Sequence, residues 1–277
     1  MLKIVKLYFH YLLPKKKLTQ FGGLLASSKI VWLKNYLIAY FVKRHPVNMS
    51  EAIESNPFAY ASFNDFFTRH LKSGARTIAE ELYVSPADGA ISQFGQLSEH
   101  QILQAKGIDY SFQQLTQTTH KEALPFKDGS FMTIYLSPKD YHRIHMPIDG
   151  KLIKQTYIPG QLYSVQPFTT ENIPQLFSQN ERLVLHFDTM NGPLIMVMVG
   201  ATVVGCIGTA WQGDLKRKNH MDMIEWPTPI ALKKGEEVGY FKLGSTVIVL
   251  WPEANNLTWH KTFSQGETLK LGQALAH

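Results

Sequence analysis

Cysteine is nearly absent from this sequence, which has only Cys206 among its 277 residues. A single cysteine cannot form an internal disulfide, so a disulfide framework is excluded and a reducing compartment is favoured. Cys206 lies in an apolar run between Val203 and Ile207. This setting predicts a buried thiol rather than a catalytic nucleophile.

Acidic side chains are missing from the first fifty residues, where the chain carries nine Lys and Arg before its first acid, Glu51. The rest of the chain carries 19 basic and 22 acidic residues, so the net charge of +6 comes from this N-terminal arm. The arm is also rich in large apolar residues, unlike a typical nucleic-acid-binding arm. We therefore predict no nucleic-acid partner.

The arm itself has no long uncharged apolar run, because lysines interrupt residues 2–13 and 29–44 every few positions. No uncharged stretch of the arm approaches the ~20 residues needed to span a bilayer, and no signal-peptide cleavage pattern is found. Short apolar segments with lysines and aromatics predict amphipathic helices lying among the lipid headgroups. The alternative is that these helices pack on the protein's own core or on a partner.

The remainder of the chain predicts an α+β protein. Residues 51–80 indicate two short helices, one after Ser50 and one over Ser62–Leu71. From Tyr83 onward, short apolar runs alternate with Gly, Pro and Asn, which predicts six or more strands, mostly antiparallel. We therefore expect an N-terminal region of amphipathic, membrane-associated helices over residues 1–80, and a β-rich, mostly antiparallel catalytic body over residues 81–277.

Two stretches carry candidate acid–base residues. In "SPADG", Pro86 and Gly89 predict a tight turn that holds Asp88 at the edge of a strand. In "YLSPKDYHRIHMPIDG", the Ser-Pro start predicts one helical turn that ends near His142. His142 and His145 are three positions apart, so they would share a face on a helical turn and point to opposite sides on a strand. No third or fourth ligand accompanies them at suitable spacing, so no metal site is predicted.

A third stretch, "FKLGSTVIVL", places Gly244 and Ser245 inside a strand-like run. A glycine there indicates a bulge or a close backbone approach. Ser245 could act as a nucleophile only with a base beside it, and Asp88, His145 and Ser245 could form such a triad. The residues alone leave a Ser-His-Asp lipid hydrolase and a non-catalytic membrane-bound β module open. The lack of a G-x-S-x-G elbow disfavours an α/β-hydrolase.

Taken together, these motifs resemble the pyruvoyl-dependent phosphatidylserine decarboxylases of bacteria over nearly the whole chain. The stretches that carry the resemblance are "LGST" (Leu243–Thr246), "SPADG", "YLSPKDYHRIHMP", "FNDFFTRHLKSGARTI" (Phe63–Ile78) and "VGATVVG" (Val199–Gly205). Residues 211–230 carry no recognisable motif. The resemblance implies an enzyme that converts phosphatidylserine to phosphatidylethanolamine and CO₂.

The resemblance also implies how the chain matures. Asp88 would orient His145, and His145 would take the proton of Ser245, which attacks the Gly244 carbonyl. The chain would separate into a β chain, 1–244, and an α chain, 245–277, with a pyruvoyl group in place of Ser245. That group would bind the substrate amine as a Schiff base, and His142 would donate a proton or position the substrate.

Location and partners follow from the same resemblance. The expected partners are phosphatidylserine and an anionic membrane surface, and the expected location is the cytoplasmic face of the cell membrane, as a peripheral protein. The α and β chains would remain together as a heterodimer. The apolar N-terminal helices also suit a homodimer of such units.

Overall fold

The computed structural model describes residues 14–105, 107–202, 206–253 and 257–276. Its main element is an eight-stranded, fully antiparallel sheet with the strand order β12-β7-β8-β9-β14-β5-β2-β15. Its strands, in chain order, are β2 (Gly89–Gln96), β5 (Ser130–Leu136), β7 (Gly150–Ile158), β8 (Arg182–Thr189), β9 (Gly192–Val199), β12 (Asp222–Leu232), β14 (Ser245–Trp251) and β15 (Thr268–Leu269).

Strand β14 is buried along its whole length because both faces of the sheet are covered. Val247 and Val249 pack into one apolar core, and Ile248 and Leu250 pack into another on the opposite face. Successive side chains of a strand alternate between faces, so a doubly covered strand needs apolar residues at every position. This explains the uninterrupted apolar run Val247–Trp251, which follows the two buried hydroxyl residues Ser245 and Thr246.

A second, four-stranded sheet has the order β11-β10-β13-β6 and lies beside the first. Its strands are β6 (Arg143–His145), β10 (Ile207–Thr209), β11 (Gly213–Asp214) and β13 (Glu237–Phe241). Two pairs complete the strands: β1 (Tyr83–Val84) with β16 (Ala274–Ala276), and β3 (Gln101–Ala105) with β4 (Ile108–Ser111). The C-terminal residues therefore return to the turn that carries Asp88.

Helices are short except at the N-terminus. They are α1 (Lys15–Ala26), α2 (Val31–Arg44), α3 (Phe63–Phe67), α4 (Phe112–Thr116), α5 (His120–Ala123), α6 (Pro167–Thr170) and α7 (Leu176–Gln179), with 3₁₀ turns at Pro57–Ala59 and Leu124–Phe126. Helices α2 and α3 share an apolar cluster that includes Ile38, Phe66 and Phe67, and Leu243 packs against it. The helical layer thus rests on the loop that precedes β14.

The predicted α+β class is confirmed, with two local corrections. The helix predicted after Ser50 does not form, because Ala52 bridges to Leu71 and the Ile53 amide donates to the His70 carbonyl. Residues 211–230, which carried no motif, supply β11 and most of the edge strand β12. The boundary between 1–80 and 81–277 stays a prediction, and residues 2–13 lie outside the described residues. Among the described helices, none combines the length and apolarity required to cross a bilayer.

Candidate active site

The peptide between Gly244 and Ser245 joins a strained loop to the start of β14. Leu243 has φ +82° and Gly244 has φ +27°, both in the left-handed region. A side chain in that region costs about 1 kcal/mol or more, so Leu243 holds real backbone strain. A Cβ added at Gly244 would meet no atom within 4 Å. Glycine is therefore favoured there by backbone conformation rather than by space.

Ser245 follows this loop as the first residue of β14, paired with Leu136 of β5. Its side chain is fully buried, and its Oγ makes no hydrogen bond to any residue that the structure describes. A buried hydroxyl without a partner is unfavourable, so it calls for an explanation. The unbonded hydroxyl of Ser245 therefore lies directly after the peptide bond that ends the strained loop.

His145 lies at the end of β6 with both ring nitrogens engaged. Nδ1 lies 2.8 Å from the Gly235 carbonyl, and Nε2 lies 3.1 Å from the Tyr141 hydroxyl. A carbonyl only accepts, so Nδ1 carries the proton and Nε2 accepts from Tyr141. Burial lowers the pKa of His145. The imidazole is therefore neutral with no proton on Nε2, which is the protonation state that a general base requires.

Asp88 sits in the predicted turn, immediately before β2, and is 2% exposed. Arg76 donates from Nε at 2.9 Å and from Nη2 at 2.5 Å, the Leu271 amide donates at 2.9 Å, and Lys270 Nζ lies 3.1 Å away. Burial alone would raise the pKa of Asp88, but these hydrogen bonds and positive charges outweigh it and lower that pKa. Asp88 is thus a buried, ionised carboxylate.

The three predicted triad residues are not joined by hydrogen bonds in the intact chain. The His145 amide donates to the Pro86 carbonyl at 2.8 Å, so the turn of Asp88 and strand β6 are in contact. The carboxylate of Asp88 nevertheless bonds to Arg76, and the ring of His145 bonds to Tyr141 and Gly235. Burial lowers the pKa of His145, and the charge of Asp88 opposes that lowering less than the Gly235 hydrogen bond and the charge of Glu237 do. The catalytic roles of these residues stay predictions.

His142 is completely buried beside Phe67, with ring centroids 4.2 Å apart. Its Nδ1 donates to the Asp140 carbonyl at 2.9 Å, and its Nε2 has no partner within the described ranges. Burial lowers the pKa of His142 to about 3, so the ring is neutral and Nε2 is a free acceptor. It is a second idle polar group near the strained loop.

The helical turn predicted before His142 is wrong. Ser137 and Asp140 do form the expected local hydrogen bonds, with the Ser137 amide and Oγ donating to Asp140 Oδ2 at 2.8 and 2.7 Å. These bonds close a turn instead of starting a helix, because the chain then enters β6 and pairs with β13. His142 and His145 therefore do not share a helical face.

A cavity of about 170 Å³ opens against the strained loop. Six segments of the chain line it: Leu243 and Gly244; Phe41 and His45; Phe67; Tyr135 and Pro138; Ser164–Gln166; and Ala201 and Thr202. Larger surface grooves exist, including one of about 510 Å³ at Asp149 and Met190, but that groove is lined by none of the predicted site residues. The cavity at Gly244 lies between the strained loop and the N-terminal helical layer.

Sequence reasoning missed the residues that hold these groups. Arg76, Tyr141 and Lys270 contact predicted site residues, yet no role was inferred for them. Arg69 and Arg76 both lie inside the quoted stretch Phe63–Ile78, so the available signal was two arginines in a motif with no assigned role. Cys206 is partly buried, and burial raises the pKa of its thiol to about 11, which agrees with an unreactive thiol.

Comparison with known proteins places the chain among the decarboxylases. A family model described as "Phosphatidylserine decarboxylase" matches residues 63–277, and a second, described as "PSD", matches residues 5–45. The chain therefore belongs to the phosphatidylserine decarboxylase family.

Individual relatives agree over nearly the full length. The chain is 46% identical over 276 residues to the phosphatidylserine decarboxylase proenzyme of Legionella pneumophila strain Lens, which covers 99% of this chain and 98% of that one. It is 46% identical over 269 residues to that of Herminiimonas arsenicoxydans, covering 96% and 91%. It is 48% identical over 253 residues to that of Idiomarina loihiensis, covering 88% and 87%. The predicted family is confirmed, and the hydrolase alternative finds no support.

Proposed function

We propose that this chain decarboxylates phosphatidylserine to phosphatidylethanolamine after cutting itself between Gly244 and Ser245 into a β chain, 1–244, and an α chain, 245–277. Ser245 then becomes a pyruvoyl group. The observation that carries this proposal is the buried, unbonded Oγ of Ser245 directly after the glycyl peptide that ends the loop strained at Leu243. Neither feature contributes to stability, so both point to chemistry at this bond.

In the self-cleavage, Oγ of Ser245 forms a bond to the carbonyl carbon of Gly244 while the Gly244–Ser245 C–N bond breaks. The nitrogen stays on Ser245 as an amine, and the product is an ester. Elimination then releases the Gly244 carboxylate, and one water replaces the nitrogen, which leaves as ammonia. We assign the first proton transfer to Nε2 of His145, which must exchange the Tyr141 hydroxyl for Oγ, with Asp88 as its charged neighbour.

The pyruvoyl group supplies an electron sink for the pair left when CO₂ departs. It would lie at the buried start of β14, where Ser245 is 0% exposed. His142 is our candidate for the remaining proton transfers. Its unprotonated Nε2 can accept a hydrogen bond from the substrate amine and so position the substrate, and the same nitrogen is our candidate for delivering a proton to the carbon that lost CO₂.

The test is a denaturing gel of purified protein followed by the mass of the small fragment. We expect two fragments, the smaller spanning residues 245–277 and bearing a ketone that borohydride reduces and hydroxylamine captures. The released carboxyl end at Gly244 should appear on the large fragment. Full decarboxylase activity in an uncut chain without a reactive carbonyl would rule out the proposal.

We further propose peripheral attachment to an anionic membrane through α1 and α2. Trp32, Tyr36 and Tyr40 follow each other at four-residue spacing on one face of α2 and are 72%, 66% and 63% exposed. Aromatic residues favour the membrane interface, and the lysines of the arm favour anionic lipid. This places the cavity at Gly244 beside the helices that meet the lipid. The cytoplasmic face and a homodimer stay predictions.

Replacing Trp32, Tyr36 and Tyr40 together by serine should therefore weaken binding to vesicles. We expect at least a tenfold loss in the fraction bound to vesicles containing phosphatidylserine, measured by co-flotation, because three interfacial anchors are lost. Met190→Ser is the matched control, since Met190 is 90% exposed in the β8–β9 turn. Equal binding by the triple variant and the control would contradict membrane attachment through α2.

A further inference from the structure

Arg69 is a buried cation without a carboxylate of its own. It follows α3 and is 4% exposed, and no described Asp or Glu lies within 4.0 Å of its guanidinium. Nη2 makes two long contacts, at 3.3 Å to the Lys139 carbonyl and 3.5 Å to the Asp140 carbonyl. Nε and Nη1 make no hydrogen bond with any residue in the described ranges. A buried charge left in this state is strongly unfavourable unless an anion joins it.

Arg182 shows how this chain buries an arginine that serves the fold. It is 2% exposed, and all three guanidinium nitrogens donate to backbone carbonyls: Nε to Leu115 at 2.6 Å, Nη1 to Asn180 at 2.9 Å and Nη2 to Gln114 at 2.7 Å. Arg69 is similarly buried, but only its Nη2 reaches backbone carbonyls, at 3.3 and 3.5 Å, and its Nε and Nη1 have no described partner. Arg182 is thus satisfied by the protein itself, whereas Arg69 lacks hydrogen-bond partners that a bound anion could supply.

The position of Arg69 links it to the candidate active site. Nη2 of Arg69 and Nδ1 of His142 both contact the carbonyl oxygen of Asp140, at 3.5 and 2.9 Å. The guanidinium and the imidazole therefore share one acceptor atom. Arg69 is therefore a neighbour of His142, and His142 packs on Phe67, which lines the cavity at Gly244.

The surrounding charges leave Arg69 uncompensated. The two carboxylates whose charges act on Arg69 are Glu51 and Asp88. Arg76 already binds both, at 2.7 Å and 2.5 Å, and Lys270 adds a further contact to Asp88. The cluster therefore holds three cations and two carboxylates. One positive charge in excess, located on Arg69, favours one monovalent anion.

We propose that Arg69 binds the phosphodiester of the substrate headgroup. The inference rests on the proposed function, in which the substrate amine reacts at position 245 and the phosphate follows after a short -O-CH₂-CH- link. The substrate carboxylate is the weaker candidate for this site. An ion pair between Arg69 and the carboxylate that is lost as neutral CO₂ would stabilise the substrate more than the transition state and so oppose the reaction. The phosphodiester keeps its charge throughout, so its binding positions the lipid without that penalty.

The test measures initial rates on short-chain phosphatidylserine with Arg69→Met and Arg69→Lys. We expect Arg69→Met to mature into two fragments and to raise KM about 10- to 100-fold with a smaller change in kcat, since hydrogen bonds to a charged group are lost. Arg69→Lys should recover part of the loss, because it keeps the charge without the planar fork. Arg182→Met is the matched control, with a lower melting temperature and an unchanged KM.

Inhibition of the wild-type enzyme tests the same site without a variant. Inorganic phosphate and glycerophosphoethanolamine should compete with the substrate, and acetate at equal ionic strength should not. Competition by acetate alone, or an Arg69→Met enzyme with unchanged KM and unchanged phosphate inhibition, would overturn the assignment. A wild-type protein that lacks the ketone and does not decarboxylate phosphatidylserine would instead refute the proposed function itself.

Discussion

Ser245→Ala is expected to yield one full-length chain with no decarboxylase activity. The substitution removes only Oγ, the atom that attacks the Gly244 carbonyl in the proposed self-cleavage, so under that proposal neither the cut nor the pyruvoyl group can form. The variant should nevertheless fold as well as the wild-type precursor. Oγ is buried and makes no hydrogen bond within the described residues, so its loss should change the free energy of unfolding by less than about 1 kcal/mol.

Thr246→Val is the matched control for this variant. Thr246 is the next residue, is fully buried and also has a hydroxyl without a described partner, but its side chain points to the opposite face of β14. It should mature into two fragments. A gel and a urea titration of both variants separate a chemical role from a packing role. Two fragments from Ser245→Ala would remove Ser245 from the mechanism.

Arg76→Met is expected to cost about 3–5 kcal/mol of unfolding free energy at pH 7, because it leaves the carboxylate of Asp88 buried without its bidentate partner. The measurement is a urea titration in the Ser245→Ala background, where the chain stays in one piece. Lys233→Met is the control. Its ion pair with Asp149 is solvent-exposed and should contribute less than about 1 kcal/mol. Equal losses in the two variants would contradict the assigned role of Arg76.

The pH dependence of this loss has a definite sign. In the wild-type fold the pKa of Asp88 is lowered, so its contribution is present above the unfolded pKa of about 3.9 and is lost as the pH falls through the folded pKa. Without Arg76, burial dominates and raises that pKa, so Asp88 takes up a proton at higher pH. The stability difference between wild type and Arg76→Met should therefore shrink from pH 7 to pH 4.

Sequence patterns predicted the fold class and the family because both depend on local signals. The uninterrupted run of β14 and the turn at Asp88 are readable from a few neighbouring residues. Local signals also produced the errors. Ser137 and Asp140 form the same hydrogen bonds in a turn as at a helix start, and only the pairing of β6 with β13 decides between them.

The partners of the site residues could not be predicted in this way. Asp88 meets Lys270 and Leu271 across more than 180 positions of chain, and no spacing rule connects them. Gly244 was interpreted as a bulge or a close approach within a strand, whereas it ends a strained loop just before one. The idle Oγ of Ser245 and the idle nitrogens of Arg69 are properties of packing, which sequence does not display.

The position of β14 between β5 and β9 has a consequence for refolding of the matured protein. If the bond before this strand is cut only after folding, β14 pairs with its neighbours while it is still covalently tethered to them. Once denatured, the matured protein would have to reassemble from two separate molecules, a second-order process without the high effective concentration that a tether provides. Unfolding would then be practically irreversible at low concentration, and only newly made chains could restore the pool.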